Sequence, residues 1–264
     1  MLCARAMATT NVAAPGEDEP NPRGTPRPAR DFTETRWLMI KSAAGQEGAA
    51  AAQPALDYLC RRYWPPIYAF LRRSGHSATD AVDLTQGFFA KLLSTNALSR
   101  ADQSKGRFRN FLLGALNRFL ADYQRHRDAE KRGRSKVLLA GDFGEVERKY
   151  LAEADPSLTA EEIFDRRWSA TVLEMARKDL EADFKRLGRE KRFAILQEFL
   201  ETEGTEQAYR AAAGQLGSSV EAIVPAVSRF RARYRECIRR IVMATVSDPD
   251  DVDPEFKRLF GGRS

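Results

Sequence analysis

From about residue 56 to residue 246, apolar side chains recur at intervals of three and four, the period of an α-helix with one buried face. Leu56, Leu59, Cys60 and Tyr63 open the pattern, and Ile67, Phe70 and Leu71 continue it beyond Pro65 and Pro66. The two prolines read as a break. They end one helix and suit the first turn of the next, where the missing N–H is unpaired in any case. Ser77 or Thr79 caps the following helix, with Asp80 and Asp83 in its first turns and Leu84, Phe88 and Leu92 on its buried side. The clearest stripe is Phe108, Phe111, Leu112, Ala115, Leu116, Phe119, Leu120 and Tyr123, which predicts a helix over about 106–127. Gly133, Gly141 and Gly144 interrupt the pattern and predict a loop from Gly133 to Pro156. Thr159, with Glu162 three residues on, begins a capping box, and helices follow through Trp168 to Arg186, over 192–201, 207–216 and 219–246. No run alternates with the period of two that marks a strand, and no internal repeat is present.

The expected fold is all-α: two small helical domains joined by a linker, the C-terminal one carrying a helix-turn-helix. The first domain spans 32–132, the linker 133–158 and the second domain 159–246, followed by a C-terminal tail over 247–264. Residues 1–31 read as a disordered tail, because Pro15, Pro20, Pro22, Pro26 and Pro28 stand among few large apolar residues, too few to offset the entropy of ordering. The helix-turn-helix rests on a short helix ending at Leu216, a glycine turn at Gly217 and a longer helix capped by Ser219. Small Ala212 and Ala213 let its two helices approach.

Charge adds a partner class to this outline. The chain carries 43 Lys and Arg against 37 Asp and Glu, a formal excess of +6. Ten of the basic residues and only three acids fall within 105–136, a local balance of +7 (ten minus three) that exceeds the excess of the whole chain. Such clustering is the footprint of phosphate binding, though a solvated helix face followed by a basic loop has the same composition. Phe108, Phe111 and Phe119 lie on the apolar stripe and are assigned to the core. Tyr123, with His126 beside it, is the candidate for stacking on an unpaired base. A second basic helix carries Arg229, Arg231, Arg233, Arg235, Arg239 and Arg240 against Glu221 and Glu236.

Catalytic chemistry finds little support. There is no Gly-x-x-x-x-Gly-Lys-Ser/Thr loop, His76 and His126 have no nucleophile at a motif spacing, and the carboxylates are scattered. Cys3, Cys60 and Cys237 are far apart, with neither zinc-ligand nor disulfide spacing, and read as reduced thiols of a cytoplasmic protein. The expectation is no catalytic residue, no metal and no cofactor. No apolar run approaches the length of a membrane span, and Met1–Thr10 lacks the apolar core of a secretory signal, so no membrane partner is expected.

Three segments together resemble a known family. Residues 80–93, Asp-Ala-Val-Asp-Leu-Thr-Gln-Gly-Phe-Phe-Ala-Lys-Leu-Leu, resemble the polymerase-clamp-binding helix of bacterial RNA polymerase sigma factors. Residues 107–127 resemble the next family helix, which binds and melts the minus-ten element, and the closing helix-turn-helix resembles the minus-thirty-five reader. The order and separations match the extracytoplasmic-function (ECF) type in its expanded, planctomycete-like form, whose members often open with a Phe-x-x-Thr-Arg-Trp stretch, here Phe32 to Trp37.

The resemblance implies a subunit that binds core RNA polymerase and directs promoter recognition and opening, catalysing no reaction itself. Asp80, Asp83 and Gln86 would meet the polymerase clamp, where an acidic surface facing a basic one favours orientation and on-rate. Arg109, Asn117, Arg118, Asp122, Tyr123, Arg125, His126 and Arg127 would line the melted strand, and Arg229, Arg231 and Arg233 would grip phosphates of the duplex. Its partners would be core polymerase and promoter DNA, duplex and melted, and an anti-sigma factor is a further candidate. One departure stands out: Val224-Pro225-Ala226 occupies positions that the family usually fills with basic or small polar residues, and so lacks base-edge donors. If Ser219 caps the helix, Pro225 lies in its interior and removes the bond to the Glu221 carbonyl; otherwise the helix restarts at Pro225. The other reading of the same residues is a helix-turn-helix DNA-binding regulator that never associates with polymerase.

Overall fold

Every regular element among the described residues is helical, and the all-α expectation holds. The structure, a computed structural model, describes residues 49–95, 97–101, 107–129, 143–200, 202–246 and 248–261. The Pro-rich tail, Cys3, the Phe32–Trp37 stretch, Lys105 and the basic residues of 130–136 lie outside them.

Helix α1 spans Ala49–Arg73 and runs without interruption through Pro65 and Pro66, which corrects the predicted break. The prolines forgo the bonds their N–H groups would have made to the carbonyls of Arg61 and Arg62, at about 3 kcal/mol or more apiece. Their surroundings outweigh that cost. Tyr63, Trp64, Ile67, Tyr68, Phe70 and Leu71 are all buried around them. Helix α2, Ala78–Ser94, is capped by Ser77, whose hydroxyl accepts from the Asp80 amide. A 3-10 turn at Ala97–Arg100 precedes α3, Phe108–Ala129. On α3, Phe108, Leu112 and Leu116 are buried, with Phe111, Ala115, Phe119, Leu120 and Tyr123 partly buried beside them, as the stripe predicts.

Helix α4, Phe143–Glu153, lies where a loop was expected. It is fixed by its neighbours: Glu147 accepts from Arg72 Nη2 at 2.8 Å and Nε at 3.1 Å and from the Tyr68 hydroxyl, and Tyr150 packs edge-on to Tyr68. Helix α5, Ala160–Arg186, starts with the predicted capping box of Thr159 and Glu162. Helix α6, Glu190–Leu196, passes into a 3-10 turn at Gln197–Leu200.

Helix α7, Glu206–Leu216, ends at Gly217, whose φ of 61° is left-handed and suits glycine. The Gly217 amide donates to the Gly214 carbonyl and the Ser218 amide to Ala213, so the turn closes within its own backbone. Ser219 then caps α8, Val220–Met243, by accepting from the Ala222 amide. Helix α8 is continuous through Pro225 and does not restart there. The expected C-terminal tail contains a further helix, α9, at Val252–Phe260, after a 3-10 turn at Pro249–Asp251.

Residues from both expected domains meet in one buried cluster. Tyr63 of α1 stacks on Trp168 of α5 at a centroid distance of 4.6 Å, and Phe108 of α3 meets Tyr63 edge-on at 5.3 Å. The Phe108 amide donates to the Thr245 carbonyl just past α8. At the other end of α5, Phe184 packs against Phe193 of α6 and Phe230 of α8. The continuity predicts one cooperative urea transition for residues 49–261, followed by far-ultraviolet circular dichroism. Trp168→Ala should lower stability by about 3–5 kcal/mol while leaving that transition single. Two separate transitions in the wild type would instead mark two independent units.

Candidate nucleic-acid interface

Burial of Leu112 and Leu116 fixes which way α3 faces. Asn117, Arg118, Ala121, Gln124 and Arg125 are exposed on its other side. Helix α2 supports this face from beside it. Gly87 lies against the Phe119 ring, where even a Cβ would make only an ordinary contact at 3.4 Å, and Phe88 meets the same ring edge-on at 5.8 Å. Phe119 in turn lies under Tyr123, with ring centroids 6.3 Å apart and planes 26° apart, and Tyr123 is partly exposed.

Asp122 lies on the same side. Its carboxylate accepts from Lys91 Nζ of α2 at 2.8 Å and from Arg125 of its own helix. Those two hydrogen bonds hold the carboxyl below its ordinary range. The acid therefore stays ionised and ties together two cations, one from each helix. Lys91 was not among the residues expected here: it stands on a different helix, and only the packing of α2 on α3 brings it to this face.

The other expected residues are dispersed. The side chains of His126 and Arg127 lie outside the described ones. Arg109 is directed inward: its guanidinium pairs with Asp165 of α5 and its side chain is only 12% exposed. On α2, Asp80 shares the Ser77 cap, with Ser77 Oγ donating to Asp80 Oδ2 at 2.8 Å, and Asp83 is partly exposed one turn on. Gln86 is buried at 8% exposure and shares no open surface with those acids. On α8, Arg229 and Arg233 are exposed, but Arg231 is committed to the fold, donating from Nε to the Phe199 carbonyl at 2.9 Å and from Nη2 to Thr202 at 2.8 Å. Val224 and Pro225 are exposed, whereas Ala226 is core, so the apolar substitution of the outer face covers two positions rather than three.

Sequence reasoning missed a group of charges where α3, α5 and α9 meet. Glu255 of α9 is buried at 1% exposure. It accepts from Arg258 Nε and Nη2, both at 2.9 Å, and pairs with Arg107 Nη1 at 2.9 Å, with Arg109 Nε 3.9 Å away. Arg258 also reaches Asp165, which already holds Arg109, and Asp251 lies 3.9 Å from Arg107. Three arginines thus alternate with three carboxylates. These carboxylates lie 56 to 148 residues from Arg107 and Arg109, at no motif spacing (165 minus 109, and 255 minus 107).

Cys60 and Cys237 are buried free thiols, and burial, with Asp57 nearby, pushes Cys60 up to about 11, which makes it a poor nucleophile. Among the described residues no group of three or more His, Cys, Asp or Glu is placed to hold a metal ion, and no helix is long and apolar enough to cross a membrane. No protein-family model matches the chain, and neither a curated protein nor a solved structure matches it significantly.

The Glu255 site carries a pH prediction. Burial alone would raise its carboxyl, but the hydrogen bonds from Arg258 and the charges of Arg258, Arg107 and Arg109 outweigh it and hold the group below the ordinary glutamate value. Its stabilisation is therefore complete above the unfolded pKa of about 4.3 and is lost as pH falls through the lower folded value. Urea unfolding between about pH 6 and about pH 3 should show this decline, and Glu255→Gln should make it shallower. An unchanged slope in the variant would remove Glu255 as a contributor.

Proposed function

We propose that the chain is a sigma-type transcription-initiation subunit that binds core RNA polymerase and helps to select and open promoter DNA. The observation that carries this reading is on α3, where Asn117, Arg118 and Arg125 are exposed on the outer face and Tyr123, backed by Phe119, is partly exposed at the edge of the buried stripe. Exposed cations and a partly exposed ring on one helix suit a strand with unpaired bases: the cations meet phosphates and the tyrosine stacks on a base. Lys91 extends the positive side of that face from α2. Opening a duplex this way needs no hydrolysis, because binding to the melted strand shifts the equilibrium toward it. In this reading Asp80 and Asp83, at the start of α2, meet the polymerase, and the exposed Arg229 and Arg233 of α8 hold duplex phosphates upstream. With Val224 and Pro225 on the outside of α8, readout of base edges there is weak, and phosphate contacts dominate.

A second reading, a DNA-binding regulator without polymerase, draws on α7 and α8 alone: the glycine turn closed on itself, the serine cap and the exposed arginines after it. Core polymerase separates the two. With cognate core, the wild type should give promoter-dependent run-off product, and Asp83→Arg should abolish association with core while duplex binding persists. Tyr123→Ala should weaken binding to single-stranded promoter DNA by about 1–3 kcal/mol in fluorescence anisotropy. Absence of core binding together with intact duplex binding would favour the regulator.

A further inference from the structure

The described arginines of α3 and its entry fall into two sets. Arg118 and Arg125 are on the exposed face, whereas Arg109 in the first turn and Arg107 just before it are covered by carboxylates from elsewhere in the chain. The covering segment is strongly acidic: residues 248–255 hold Asp248, Asp250, Asp251, Asp253 and Glu255. Its helix, α9, has nine residues, too short to be stable alone, so its order depends on docking. Docking uses Val252, which is buried, and Phe256, Leu259 and Phe260, which pack partly buried against the core. Further ties are the Ser169 hydroxyl donating to the Leu259 carbonyl at 3.1 Å and the pair of Arg239 with Asp253. Glu255 is the charged residue that this docking buries, and it faces Arg107 and Arg258.

We propose that the segment 248–260 is an intramolecular latch that competes with nucleic-acid phosphate for Arg107 and Arg109 and keeps the beginning of α3 closed until DNA displaces it. The inference rests on the reading of α3 as the strand-binding helix. Carboxylate and phosphate oxygens make the same charge-assisted bonds to guanidinium groups, so the two anions exclude each other at these positions. A strand that already engages Arg118 and Arg125 delivers further phosphates at high effective concentration along the same helix, and thus has the advantage over a short helix held at one end. Asp165 of α5 holds Arg109 from the other side, so a phosphate that reaches Arg109 competes with that pair as well as with the latch. Latch closure and DNA binding are then reciprocally coupled.

The test uses the full chain and a fluorescein-labelled single-stranded DNA oligonucleotide at low salt. Glu255→Gln combined with Asp165→Asn should raise affinity by about tenfold, and adding Arg107→Ala with Arg109→Ala to that variant should remove the gain. Circular dichroism confirms that each variant is folded. A measurement on the wild type needs no variant: adding saturating DNA should speed hydrogen–deuterium exchange over residues 252–260. Binding by the wild type with unchanged affinity in the latch variant, or with unchanged or slower exchange over 252–260, overturns the latch and leaves the proposed function standing. Failure of every form to bind DNA overturns both.

Discussion

Tyr63 lies nearly flat on Trp168, with ring planes 13° apart, and this contact joins the first long helix to the fifth. Helix α5 is 27 residues long, roughly 40 Å at the rise of an α-helix. Its buried stripe runs almost end to end, from Ile163 and Phe164 through Trp168, Val172 and Ala176 to Leu180 and Phe184. The first half of the stripe is covered by α1 and the second by α6 and α8, with the Tyr234 hydroxyl donating to the Leu173 carbonyl near its middle. Helix α8 lies along the same element, from Phe230 against Phe184 to Thr245, just past its end, beside Phe108, so α3 and α8 are placed by what they touch on α5 and α1.

That constraint decides the chemistry of the surface. Helix α3 buries Phe108, Leu112 and Leu116, and with the helical period fixed, Asn117, Arg118 and Arg125 must face outward. The same packing turns Arg109 toward Asp165, and the arrival of α9 adds Glu255 beside Arg107. A single basic helix is thereby divided into an open stretch and a covered one. The division makes sense of Asp122, an acid on a face otherwise suited to phosphate: its bonds to Lys91 and Arg125 hold two flexible cations in place at the cost of partly offsetting their charge.

The stripe of α3, the capping box at Thr159 and the glycine turn at Gly217 were legible in the sequence because each depends on residues within a few positions of one another. Three features were not, and for one reason. Pro65 and Pro66 obey a local rule that the burial of six large neighbours overrides. Helix α4 carries Gly144 in its first turn and is held by Tyr68 and Arg72, more than 70 residues earlier. Helix α9 is short, follows the acidic stretch Asp248–Asp251 and contains Pro254, so its local pattern resembles a tail until its docking site is known. In the site, exposure of Arg118 and Arg125 followed from the stripe. The inward turn of Arg109 and Arg231 did not, since a basic cluster in sequence does not reveal which guanidinium finds a carboxylate or carbonyl across the fold.

A sigma-type role requires that this chain take polymerase to particular DNA. Co-purification of the full chain with cognate core RNA polymerase, followed by sequencing of the DNA that remains bound, measures both at once. The expected result is a stoichiometric complex and a set of fragments sharing a common element at the melted region, with weaker agreement upstream, where Val224 and Pro225 face outward. Recovery of the chain without polymerase, or of polymerase with no enrichment over random fragments, would contradict it.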